Sequence, residues 1–345
     1  MGPRRIRSFA FATAAVLAAL LASPGPATAQ ERIRVKVAQA GRFLSFAPMD
    51  VAVGKKLFDA EGLDAEVQIV AGVVGSQGLA GGGIDIDVDA SNNVLRLVDR
   101  GLPLLTVQTM VASLTMNMAV RREAIQAKGV TRQSPLEARF AALKGLTIGI
   151  TTPGAASDTY TRWMLKQAGI DPLRDVRIVQ IGGGDALLAA MRARQIDAFL
   201  SSPPGPDQAE FEGFGTVFIA NTAGEVPGFR NFLHQIVAIK RDFGERNPEA
   251  VRRFTRGLGR AINLMIDQPE ESKRVLQTFW PKIHPEVLSH GVDAMRATLP
   301  RDGWMTEEHW KGTLRVFQDL GIVTRSLETR EGPVWTNRYI TRTTR

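Results

Sequence analysis

Thr151, Thr152, Gly154, Ala155, Ala156 and Ser157 stand where an apolar run, Leu146 to Ile150, gives way to a helix-like pattern. The first amides of a helix have no partner inside it, and with the helix dipole they attract an anionic group. Small side chains let a ligand oxygen approach the backbone, and the hydroxyls add donors. The competing role is local, with Ser157 or Asp158 capping its own helix. An equivalent turn earlier in the chain offers Arg42, Phe43, Ser45 and Phe46. A guanidinium at Arg42 matches a carboxylate or sulfonate, or it is solvated; the two phenylalanines wall a cleft or seal a core. Asp85, Asp87 and Asp89 alternate along a third strand-like segment, with Ile84, Ile86 and Val88 on the other face. Asp85 is expected to pair structurally, as Asp197 does in a similar segment later. Asp89 with Ala90, Ser91 and Asn92 is expected to border a cleft, where an acid asks for a donor or amine on the ligand. A Ca²⁺ site there lacks the spacing and terminal Glu of an EF-hand.

Other chemistries lack their residues. The chain has no cysteine, which removes disulfides, thiolate metal sites and cysteine nucleophiles. His234, His284, His290 and His309 show no metal-ligand spacing. Gly182-Gly183-Gly184-Asp185 fails as a dinucleotide fingerprint because Leu187 occupies the third glycine position. Val74 likewise spoils a Gly-x-Ser-x-Gly reading around Ser76. No nucleophile–base pair emerges, no cofactor or metal is called for, and the expectation is a binding protein, not an enzyme.

The elements that would position these residues come twice. Ala60-Glu61-Gly62-Leu63-Asp64, then Val67 to Val70, then Ile84-Asp85 recurs as Gln167-Ala168-Gly169-Ile170-Asp171, then Val176 to Val179, then Ile196-Asp197. Each copy reads as strand, loop, helix, strand, Gly-rich loop, helix and a strand opening with Ile-Asp. Two α/β lobes follow, and in open α/β sheets ligands sit outside the carboxyl ends of the strands. Extended stretches at Ser113 to Asn117 and Phe232 to Ile239 read as two crossings between lobes. Lobe 1 is therefore 30–115 plus 238–325, lobe 2 is 116–237, and 326–345 is a C-terminal tail. Asn247 and Pro248 are expected to open a long helix, and Thr306 to cap a later one.

Residues 1–29 match a cleavable secretory signal: Arg4, Arg5 and Arg7, an apolar stretch from Phe9 to Ala22, then Ala27-Thr28-Ala29. Arg4-Arg5 leaves the Sec and twin-arginine routes both open. The formal charge is +8; the leader holds three arginines and no acid, so +5 remains on the rest. Without a cysteine there is no lipoprotein anchor, and no second apolar run approaches a membrane span. These features point to a monomer exported to the periplasm. Arg252, Arg256 and Arg260 share one side of a helix, either as a solvated face or as a patch for an acidic partner. A basic cluster interleaved with aromatics is missing, which argues against nucleic acid.

Ala47-Pro48, Val51 to Asp64, Gly83-Ile84-Asp85, Leu143 to Ile150, Pro153 to Asp158 and Asn247 to Val251, in that order, resemble the nitrate/sulfonate/taurine-type solute-binding proteins of ABC importers. The resemblance implies an α/β, type II periplasmic-binding-protein fold, two lobes joined by a two-segment hinge. It implies a small-molecule ligand, an organic anion of the sulfonate or carboxylate class, delivered to a permease in the inner membrane. The family's pocket positions fall on Phe43 to Phe46, Ala90 to Asn92, Gly154 to Ser157, and Ser201, Ser202 and Pro203. Relatives often read Trp-Glu-Pro at that last place, so this chain lacks the usual aromatic and acidic walls. The alternatives are an enzyme of the same fold and a sensor that presents ligand to a receptor, although the similar enzymes depend on cysteine.

Overall fold

The computed structural model describes Gly2 and residues 32–343; the expected leader otherwise lies outside the described residues. Its strands are β1 (Ile33–Gln39), β2 (Leu63–Ile69), β3 (Ile86–Ala90), β4 (Leu104–Val111), β5 (Asn117–Arg121), β6 (Thr147–Ile150), β7 (Arg177–Gln180), β8 (Ala198–Ser201), β9 (Gly215–Ile219) and β10 (Gln235–Lys240). They form two five-stranded sheets, ordered β2-β1-β3-β10-β4 and β7-β6-β8-β5-β9. In the first, β2 and β3 flank β1 in parallel while β10 runs antiparallel to β3 and β4. The second repeats this plan, with β7 and β8 parallel to β6 and β5 antiparallel to β8 and β9. The sheets are joined by two connections, 112–116 and 220–234.

The repeated Ile-Asp explains part of that symmetry. Asp85 accepts a hydrogen bond from the Lys36 amide at 2.8 Å, and Asp197 accepts one from the Thr147 amide at 3.0 Å. Lys36 and Thr147 lie in β1 and β6, the corresponding central strands. Each aspartate thus ties the start of the third strand to the first, satisfying a backbone donor at the sheet's edge.

The helices are α1 (Ala47–Gly54), α2 (Leu57–Ala60), α3 (Gly72–Gly81), α4 (Ser91–Asp99), α5 (Arg122–Gln126), α6 (Leu136–Ala141), α7 (Ala156–Gln167), α8 (Gly184–Arg192), α9 (Gly205–Phe211), α10 (Arg241–Arg246), α11 (Pro248–Asp267), α12 (Pro269–Phe279), α13 (Pro285–Arg296) and α14 (Glu307–Asp319). Several depart from expectation. The single helix read before the second strand is two, broken at Lys55-Lys56, where Lys56 takes a left-handed φ of 53°. Gly72, Gly75 and Ser76, expected as loop, are the first turns of α3. A Cβ on Gly72 would lie 2.6 Å from Asp89 Oδ1, and one on Gly75 would lie 2.6 Å from Asp87 Oδ1. Glycine is what lets this helix ride on two buried carboxylates.

Asn247 and Pro248 do open α11, with Asn247 at the N-cap position, but its side-chain amide donates back to the Phe243 carbonyl within α10 instead of capping the new helix. Thr306 does cap α14, accepting from the His309 amide while His309 Nδ1 accepts from the Thr306 amide. On α11, Val251, Phe254, Leu258, Ile262 and Met265 are buried in the first core. Its arginines are tethered: Arg256 and Arg260 grip Glu61 at 2.8 and 3.0 Å, and Arg253 donates to the Gly62 carbonyl at 3.0 Å. The tail is built in as well. Trp335 pairs with Thr106 of β4 and stacks on Trp310 at 6.0 Å, and Tyr339 is buried against the first sheet.

Candidate functional site

The carboxyl ends of β1, β3, β6 and β8 meet around a cavity of about 400 Å³ with walls from both sheets. Ligand pockets commonly fall between about 300 and 1,000 Å³. One wall is the start of α7. No side chain caps this helix: Ser157 turns its hydroxyl back to Thr151, accepting from the amide and meeting the hydroxyl, both at 2.9 Å. Asp158 also looks backward, accepting from the Gly154 amide at 2.8 Å and from Arg162 Nε at 2.6 Å. These contacts, with the Ala155 amide donating to the Thr152 carbonyl at 3.1 Å, fix the loop, and Ala156 and Ser157, the first residues of a helix whose leading amides no side chain caps, lie on the cavity wall. Thr151 and Thr152 complete that wall.

The opposite wall comes from the first sheet. Phe43, Ser45 and Phe46 line it, with Ser45 and Phe46 buried and Phe43 half-buried. The two starts are not equivalent, because here the chain makes a short 3-10 turn, Leu44–Phe46, and the Leu44 amide donates across to the Pro203 carbonyl at 3.0 Å. Arg42 is not on this wall. It lies 3.7 Å from Asp50 and over the Phe279 ring at 5.4 Å. Burial holds the Asp50 carboxyl up at about 7 even though Arg42 pulls it down.

Asp89 and Ala90 line the cavity at the end of β3. Ser76 Oγ lies 2.9 Å from Asp87 Oδ2 and 2.7 Å from Asp89 Oδ2. A hydroxyl has one proton and an ionised carboxylate only accepts, so one of these carboxyls must be protonated. Burial, with the Asp89 charge beside it, pushes Asp87 well above the usual carboxylate range; burial lifts Asp89 to about 6. Asp87 is therefore the harder of the two to ionise. The Ala90 amide at 2.6 Å and Asn93 Nδ2 at 3.0 Å complete the shell of Asp89. Among the described residues no cluster of His, Asp and Glu is arranged to hold a metal.

Four expected residues join the two halves without lining this cavity. Ser91 donates to the Leu233 carbonyl, and Asn92 donates to the Gly154 carbonyl at 3.3 Å while accepting from the Tyr160 hydroxyl. Gly154 serves through that carbonyl and takes a φ of 79°, and Pro203 serves through its bond from Leu44. Ser201 and Ser202 do line the cavity, and Ser202 meets the buried Thr115 hydroxyl at 3.0 Å.

Reading from the residues missed His234 and Gln235. His234 is fully buried and kept neutral by that burial, with its pKa down at about 3. Its Nδ1 sits 2.9 Å from the Thr115 hydroxyl, and Gln235 donates to Ser45 at 3.2 Å. Only their place where the second connection enters β10, His234 as its last residue and Gln235 as the first of the strand, brings them to the cavity; spacing carries no sign of it. Asn93, Met116 and Val70 to Val74 were also missed.

Comparison with known proteins follows the same lines. The nitrate/nitrite binding protein NrtA of Synechocystis is 22% identical over 147 residues, 43% of this chain and 32% of that relative, so the match spans about a third of its length. In structure, the periplasmic nitrate-binding protein NrtA from Synechocystis superposes with a TM-score of 0.69 at 18% identity, covering 90% of this chain and 87% of that one. The alkanesulfonate-binding protein SsuA from Xanthomonas axonopodis bound to MOPS gives 0.67 at 16% identity, covering 91% and 99%. These likenesses establish the α/β periplasmic-binding-protein fold. The NMT1-like family profile matches residues 30–279, close to three-quarters of the sequence, and the chain belongs to the NMT1-like family.

Proposed function

We propose that this protein is the solute-binding component of an ABC importer, holding a small organic anion between two lobes and handing it to an inner-membrane permease. The lobes are 30–115 with 238–325, and 116–237, and they close on ligand about their two connections. The observation that carries the reading is the uncapped start of α7 opening on a cavity walled by both sheets. Its amides and the dipole behind them favour negative charge. Elsewhere on the wall Phe43, Phe46, Val70, Val73 and Met116 suit an apolar body, while Asp89, Asn93 and Gln235 set polar groups among them. About 400 Å³ is room for roughly a dozen waters at about 30 Å³ each, much more than a bare inorganic anion needs. The relatives named for nitrate and alkanesulfonate binding support an anionic ligand of this general kind.

A ligand that binds only the folded state raises the melting temperature, and at 100 times its Kd it adds about 2.7 kcal/mol. A thermal-shift screen of sulfonates, aromatic carboxylates, nitrate and pyrimidines should single out an organic anion, recovered unchanged after incubation. A shift with neutral pyrimidines alone, or turnover of the compound, would defeat the proposal. The signal-like leader supports a periplasmic setting, and among the described residues no helix is long and apolar enough to cross a membrane. Mass spectrometry of the exported protein beginning at Gln30 would test cleavage.

A further inference from the structure

A second cavity, of about 430 Å³, lies beside the first, reaching Leu188, Trp280 and Ile283. Gly41, Phe43, Gly183, Ser201 and Ser202 border both spaces. Among these five only Phe43 carries a side chain large enough to divide them. Its ring is wedged between glycines from opposite halves of the protein. A Cβ on Gly41 would fall 3.0 Å from Phe43 Cε2, and one on Gly184, at the start of α8, would fall 3.1 Å from Cε1. Either substitution would crowd the ring, so the notch fits phenylalanine because both flanking positions lack a side chain. Packing alone holds the ring in place.

The geometry points to Phe43 as the residue that sets how long a ligand the cleft accepts. The near chamber offers the α7 start to an anionic head and apolar side chains to the group behind it. Its lip carries Val73 and Val74, which are 41% and 55% exposed. The far chamber offers Leu188, Trp280 and Ile283 to an apolar group, with Arg42, Asp185 and Gln208 also on its wall. The ligand class is therefore an anion with an apolar tail, whose reach ends at the Phe43 ring. This rests on the anion reading of the near chamber proposed above.

Calorimetric titration with straight-chain 1-alkanesulfonates of increasing length tests it. Each methylene buried in an apolar wall should tighten binding about fourfold. In the natural protein that gain should stop at a definite chain length. Phe43→Ala should move the stop to longer chains by several carbons, and Phe43→Leu, which keeps an apolar anchor on the loop, should move it less. Gly184→Ala, whose methyl pins the ring, should leave the stop in place. Retained binding with the same stop in both Phe43 variants, or no stop in the natural protein, overturns the partition alone. If no chain length binds the natural protein, the anion reading falls with it.

Discussion

Ser157 faces away from its own helix, and that choice keeps the amides at the start of α7 uncapped. Its hydroxyl makes two contacts to Thr151 at 2.9 Å, tying the loop to the end of β6. A net hydrogen bond contributes about 1 kcal/mol. Ser157→Ala should therefore cost roughly 1–2 kcal/mol in thermal unfolding and weaken anion binding severalfold in calorimetry. Asp50 makes a prediction of opposite character. Its carboxyl titrates at about 7 in the folded protein against about 3.9 unfolded. The native state then holds the proton more firmly, so stability falls as pH rises from about 4 to about 7 and is level above that. Asp50→Asn should flatten that slope in melts across this range and raise stability at pH 7 by a few kcal/mol, at about 1.4 per pH unit. The residues at the α7 start were legible because small and hydroxyl side chains after a strand announce an open helix start. Arg42 lines the adjoining cavity instead, a placement spacing cannot show because Asp50 and Phe279, which hold it, are brought to it by the fold.

Between elements, α9 and α13 meet across the halves of the molecule. His290 Nδ1 lies 2.8 Å from Asp207 Oδ1, and the Phe211 ring stacks on His284 with centroids 4.7 Å apart. Asp207 is buried and raises the His290 pKa, as does Glu210, while Arg132 opposes them. A base with a raised folded pKa contributes fully below about 6.5 and is lost as pH rises through its folded value. His290→Ala should remove that pH dependence from folding stability and lower the melting temperature more at pH 6 than at pH 8, measured by thermal unfolding at both. The same scale shows what the sequence hides. Thr306 announced its helix correctly because its capping partner, His309, is local. Asn247 and Pro248 announced the start of α11 correctly, but the preceding helix ends on Asn247 and takes its side chain, which spacing does not show. The glycines of α3 looked like loop because their reason, the Asp87 and Asp89 carboxylates, lies 12 to 17 residues further on.

At the scale of the molecule, two sheets of one plan bring their carboxyl strand ends to a shared cavity. That plan was readable from the Ile-Asp repeat, since Asp85 and Asp197 perform the same tie in each sheet. The return of β10, which delivers His234 and Gln235, was readable only as an extended stretch. The tail, expected as an appendage, packs Trp335 and Tyr339 into the body because both bury large apolar surfaces. In the proposed function one ligand is held by both halves at once, because contact with only one would favour neither the open nor the closed arrangement. Amide hydrogen exchange, with and without the strongest anion from the thermal screen, tests this directly. Protection should rise together at 41–46 and at 155–157. Protection confined to one of these segments, or to neither, would contradict it.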